Sequence, residues 1–104
     1  MFVAKVTGSL VSTQKDPGIV GHKLLIVEPY RLEAETRASL QTTGRTFVAV
    51  DTVGAGVGEM VLITQGSSAR MTSLTEKLPI DTVIIGIVDR VHVDQACVFD
   101  RETE

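Results

Sequence analysis

The stretch Asp51-Thr-Val-Gly-Ala-Gly-Val-Gly-Glu59 sets Gly54, Gly56 and Gly58 at every second position, with Phe47-Val-Ala-Val50 before it and Met60-Val-Leu-Ile-Thr64 after it. Glycine at this density lets a backbone take positive φ and pass close to another surface. Three spaced glycines also invite a dinucleotide-binding reading, but that fingerprint needs a helix after the glycines. Here a second apolar, β-branched run follows, so no helix N-terminus aims its amides and dipole at a pyrophosphate. The stretch reads instead as the glycine-rich tip of a hairpin, with its two flanking runs as strands.

Outward from this tip, the pattern stays β. From Phe2 to Ser12 the even positions are Phe2, Ala4, Val6, Gly8 and Leu10, set against Lys5, Thr7 and Ser9. Period two marks a half-buried strand, and Gly8 marks a bend or close approach in it. Lys15-Asp-Pro-Gly18 supplies turn chemistry, and His22 to Glu28 reads as the return strand, stopped by Pro29. Residues 31–45 read as a surface loop, with a short helix over Glu33 to Leu40 as the alternative. Gly66-Ser-Ser-Ala-Arg70 reads as one short helical turn with Ser67 or Ser68 as its cap.

Asp81 to Asp94 is expected to be one long strand. Val83, Ile85 and Ile87 alternate with Ile84, Gly86 and Val88, so both of its faces are non-polar and both need cover. With no long amphipathic helix to provide it, a neighbouring subunit is the economical source. The tail, residues 96–104, is expected to add a short edge strand at Ala96 to Phe99 and then fray from Arg101. Together these elements predict a single domain over 1–104. It is all-β: a small antiparallel Greek-key barrel of the oligonucleotide-binding (OB-like) type.

The composition narrows function. Thirteen acids against ten bases give a net charge of -3, and the basic residues are dispersed. That opposes phosphate binding, and a stacking platform for single strands would have to come from Phe2, Tyr30, Phe47 and Phe99, of which Phe2 and Phe47 fall on core patterns. No stretch approaches the ~20 apolar residues of a membrane helix, so a soluble, cytoplasmic chain without nucleic-acid or membrane partners is expected. Cys97 is the sole cysteine and reads as a small apolar filler. His22 and His92 stand in no catalytic motif, and His92 with Asp94 supplies two ligands where a structural zinc takes four. Asp51 and Glu59, flanking the tip, read as strand-end caps rather than a catalytic pair. No catalytic residue, cofactor or metal site is expected. A hydrophobic share of 43% with only 4% aromatics suggests apolar surface buried against other subunits as well as in a core.

Taken in order, several motifs resemble those of the EutN/CcmL-type bacterial microcompartment vertex proteins. They are Ala4-Lys-Val-Thr-Gly8 with Thr13, Gly21-His-Lys-Leu-Leu-Ile-Val27, Val48 through Glu59, Gly66-Ser-Ser-Ala-Arg70, Pro79-Ile-Asp81 and Val83-Ile-Ile-Gly-Ile-Val-Asp89. The resemblance spans nearly the whole chain. It implies a non-enzymatic shell component: a cyclic homopentamer of small barrels at the vertices of a polyhedral shell, beside hexameric shell proteins. It further implies that Gly54, Ala55, Gly56, Val57 and Gly58 face the fivefold axis, and that Arg70 pairs near a subunit contact with Asp51 or Asp81. Ile84, Gly86 and Val88 are then expected at the interface. Whether the axial opening is also a pore or gate for small molecules stays open, as does a nucleic-acid-binding use of the barrel.

Overall fold

The computed structural model describes residues 1–11, 22–66 and 81–103. Among them run eight strands: β1 (Phe2–Leu10), β2 (Lys23–Leu32), β3 (Leu40–Thr42), β4 (Phe47–Asp51), β5 (Met60–Gln65), β6 (Thr82–Ile87), β7 (Arg90–Val93) and β8 (Ala96–Asp100). Five of them follow the order β1-β5-β6-β4-β2, and the β1–β2 pairing closes the ring. The expected barrel is therefore present and closed. It is not antiparallel throughout: β4 and β6 pair in parallel, with Val50 opposite Val83 and Asp51 opposite Ile84. Parity requires this, since strand direction cannot alternate all the way around a ring of five.

The same closure corrects the hairpin reading of the glycine stretch. β4 spends its edges on β2 and β6, and β5 spends its edges on β1 and β6. The segment between them is thus a crossing over the barrel rather than a tight turn. The first hairpin does form, β1 against β2, although its connecting turn at 15–18 lies outside the described residues. The β1 register shifts between Val6 and Gly8, the kind of bulge that bends a strand around a barrel.

Pro29 does not end β2. The strand runs on to Leu32, because the ladder there uses the Pro29 carbonyl, which accepts the Thr43 N–H at 3.0 Å and the Thr43 hydroxyl at 3.1 Å. The expected loop 31–45 is accordingly shorter, with the end of β2 and all of β3 inside it. Between these strands, Glu33 caps a tight turn, its carboxylate accepting the N–H groups of Glu35 and Thr36 at 3.1 and 2.7 Å. Those bonds and the Thr36 hydroxyl, the largest influence, hold the Glu33 carboxyl below its ordinary pKa. The expected helical turn at 66–70 falls largely outside the described residues.

The barrel interior follows the alternation. Ala4, Val6, Leu25, Val27, Ala49, Val61, Ile63 and Ile84 form one buried cluster, lined by Phe2, Phe47 and Ile87. Leu24, Val50 and Val83 form a second with Ile85. The two apolar faces of β6 are both real, but Val83 and Ile84 are each fully buried within a single chain. Ile84 points into the barrel, so the expectation that its side chain meets a neighbouring subunit is corrected.

The single strand expected over 81–94 is in fact two. The barrel ladder ends where the Val88 N–H donates to the Met60 carbonyl at 2.8 Å. Beyond Asp89 the chain leaves the barrel as β7, which among the described residues pairs only with β8. Asp94 and Gln95, at φ of 52° and 66°, form the connecting turn, whose left-handed backbone matches strand twist. The tail does not fray at Arg101, whose N–H donates to the Asp89 carbonyl at 2.8 Å. Cys97 is exposed on this hairpin rather than packed in a core, with its Sγ 3.1 Å from the Phe99 carbonyl.

Candidate functional site

The segment from Asp51 to Glu59 is the most heavily tethered irregular stretch described. Asp51, at the end of β4, accepts the Val53 N–H through Oδ1 at 3.1 Å and the Ala55 N–H through Oδ2 at 2.9 Å. The Thr52 hydroxyl donates to the Ile84 carbonyl at 2.7 Å. Lys23, from the start of β2, reaches the Ala55 carbonyl with Nζ at 2.7 Å. On the far side, Glu59 Oε1 accepts the Gly56 N–H at 2.7 Å. Gly58 N–H donates to the Val6 carbonyl at 2.8 Å, and Val6 N–H to the Glu59 carbonyl at 2.9 Å, so the loop is stitched to β1 as a ladder would be.

Two of the three glycines have a conformational reason to be there. Gly54 and Gly58 sit at φ of 80° and 94°, with open space where a Cβ would be. Side chains are penalised in that backbone region. Gly56 has no positive φ, and a Cβ there would meet Glu59 Oε1 at 3.5 Å, an ordinary contact. Within one chain, then, nothing in the geometry demands glycine at position 56.

The five loop residues do not share a surface. Ala55 is fully buried and joins the barrel core, closing the end of the barrel with its methyl group. Val57, at 65% exposure, and Val53, at 39%, face outward. Among the described residues, the other large apolar side chains left exposed are Met1, Leu10, Val11 and Val48. Both flanking carboxylates are occupied by loop amides, as the capping reading of Asp51 and Glu59 expected.

The remaining candidate residues are scattered. Arg70 lies outside the described residues. Asp81 is exposed, and its carbonyl accepts the Gly66 N–H at 2.8 Å. Gly86 and Val88 are half-buried, and a Cβ on Gly86 would find Leu62 at an ordinary 3.7 Å. Asp94, considered beside His92, is instead paired with Arg37 Nε at 2.9 Å, which raises the guanidinium pKa further. Among the described residues no three His, Cys, Asp or Glu side chains gather as a metal-ligand group. Sequence reasoning missed Lys23, because its partner is 32 residues away and no local pattern announces the bond.

These features define a class: a small closed β-barrel, capped at one end by a preorganised loop and carrying exposed valines around it. The family profile described as "Ethanolamine utilisation protein EutN/carboxysome" matches residues 1–89. The bacterial microcompartment shell vertex protein PduN of Salmonella typhimurium is 49% identical over 89 residues, covering 86% of this chain and 96% of that one. The solved structure of Gloeobacter violaceus CcmL superposes with a TM-score of 0.86 at 39% identity, covering 98% and 99% of the two chains. The GrpN pentameric microcompartment shell protein from Rhodospirillum rubrum superposes at 0.75 with 42% identity, covering 89% and 99%. The chain belongs to the EutN/CcmL family.

Proposed function

We propose that this chain is a shell vertex protein, assembling as a homopentamer that closes the corners of a bacterial microcompartment, with a structural rather than catalytic role. The observation that carries the reading is the near full-length match to relatives named as shell vertex proteins, one of them described as pentameric. A flat layer of sixfold units cannot close on itself, and a cyclic fivefold unit supplies the missing curvature. Exposed Val48, Val53 and Val57 support burial against a neighbouring copy. Against the nucleic-acid alternative, two of its four candidate stacking residues, Phe2 and Phe47, pack together, ring centroids 6.2 Å apart, against the barrel core.

Within this reading the glycine loop faces the fivefold axis with Gly54, Gly56, Val57 and Gly58, while Ala55 anchors it from inside. Gly86 and Val88 lie toward a subunit contact, where Arg70 pairs with Asp51 or Asp81. Hexameric shell proteins are the partners beyond the pentamer. Native mass spectrometry over a dilution series tests the assembly: five copies are expected, and a monomer at every concentration would overturn it. Gly56→Trp sharpens the test, because a Cβ at this position meets only an ordinary contact with Glu59 and no positive φ opposes a side chain. The variant is expected to stay folded and lose the five-copy mass, and an unchanged pentamer would remove Gly56 from the axis.

A further inference from the structure

The C-terminal hairpin lies past residue 89, where the family match ends, yet it reaches back to the centre of the shared glycine loop. Arg101, just after β8, is anchored at its own backbone by the Asp89 carbonyl at 2.8 Å. Its guanidinium spreads between two carboxylates, Nη1 to Asp89 Oδ1 at 3.2 Å and Nη2 to Glu59 Oε2 at 2.9 Å. The other oxygen of Glu59 accepts the Gly56 N–H at 2.7 Å. Gly56 has no side chain to hold it in place; its carbonyl accepts the Glu59 N–H at 3.2 Å, and its own N–H depends on where the Glu59 carboxylate stands.

We infer that Arg101 is a positioning residue of the glycine loop: it fixes the Glu59 carboxylate, and through it the Gly56 backbone, so that the loop's shape depends on the docked C-terminal hairpin. The planar fork of arginine suits this role, because it presents two donors in fixed directions and orients a carboxylate rather than merely attracting it. Glu59 is the partly sheltered member, with its side chain 23% exposed against 53% for Arg101. Freed of Arg101, the carboxylate gains rotamers that leave Gly56 N–H to water. Gly58 is not wired this way, since its N–H bonds the Val6 carbonyl directly. The consequence for a ring, that displacing the hairpin loosens the residues around its axis, rests on the vertex reading above; the wiring itself does not.

Amide hydrogen exchange tests it on the full chain, comparing Gly56 with Gly58 and with barrel amides. Arg101→Ala is expected to speed exchange at Gly56 about two- to fivefold, the range of a partly exposed ion pair, and to leave Gly58 and the barrel unchanged. Glu59→Gln, which keeps an acceptor for Gly56 but drops the charge, is expected to act in the same direction, and Arg101→Lys to fall between wild type and Arg101→Ala. Combining Arg101→Ala with Glu59→Gln is expected to add little to either alone, because both break one link. Unchanged exchange at Gly56, an equal acceleration across the barrel, or full additivity would each overturn the inference. Native mass measured on the same samples separates the two ideas: faster Gly56 exchange in a chain that never forms pentamers upholds the wiring and defeats the vertex reading.

Discussion

The barrel and the C-terminal hairpin are held by different forces. In the barrel, Val6, Leu25, Val27, Val61, Ile63, Val83 and Ile84 are almost completely removed from water, and burial of this kind is non-directional and needs no charged partner. The hairpin of β7 and β8 has no buried residue. Two strands alone are marginal in water; here Arg90 to Asp100 ties one strand of the hairpin to the other, while Arg37 to Asp94 and Arg101 to Glu59 tie the hairpin to the rest of the chain. The part shared most widely with the family is thus self-supporting, while the part beyond residue 89 is fastened to it at a few charged points.

The contrast breaks most visibly in the core. Ile63→Ala is expected to cost about 2–5 kcal/mol, read as a drop in thermal midpoint of the barrel. A loss below ~1 kcal/mol would mean that the barrel is not packed as described. The glycine loop, which joins the two regions, should respond position by position. Gly58→Ala, at a φ of 94°, is expected to cost about 1–3 kcal/mol. Gly56→Ala should stay within ~0.5 kcal/mol, and equal costs at the two sites in denaturant titrations would break the distinction between a strained and an unstrained glycine.

The smallest effect belongs to the turn beside the hairpin. The Glu33 carboxyl titrates below its ordinary value in the folded chain because the Thr36 hydroxyl, the Thr36 N–H and the Glu35 N–H all favour the ionised form. A depressed folded-state pKa adds stability that is complete above the unfolded value, about 4.3, and is lost as pH falls through the lower folded value. Acidification below ~4 is therefore expected to loosen residues 33–37. The barrel, followed by its own amide signals, should not change over the same range as far as Glu33 is concerned. In Glu33→Gln this pH response of the turn should disappear. Its persistence would assign the response to another group.

Much of the fold was legible in the residues. Alternation located β1 closely, β-branched apolar runs located β4 and β5, turn chemistry pointed to the first hairpin, and Asp51 and Glu59 read correctly as caps. The errors share one origin. Proline's missing donor argues for a stop at Pro29, but only its carbonyl is used there. The run from Asp81 to Asp94 reads as continuous because no proline or glycine-rich turn interrupts it near Asp89, although the chain changes sheets there. Ile84 and Ala55 looked available to neighbours because one-dimensional periodicity does not say which face of a closed ring is inside. The Lys23 and Arg101 contacts to the loop had no local signal, since they join residues 32 and 42 positions apart.

The sequence by itself determined that the fold is all-β, where most strands lie, and which family the chain belongs to, because side-chain patterning and ordered motifs are properties of short segments. Only the tertiary structure decided what the glycine stretch is. Closing five strands into a ring imposes a parallel seam between β4 and β6, takes up both edges of β4 and β5, and turns the stretch from a hairpin tip into a cap across the barrel end. Its Ala55 then faces the core, and its shape is set by Asp51, Lys23, Glu59 and Arg101 from four separate places in the chain.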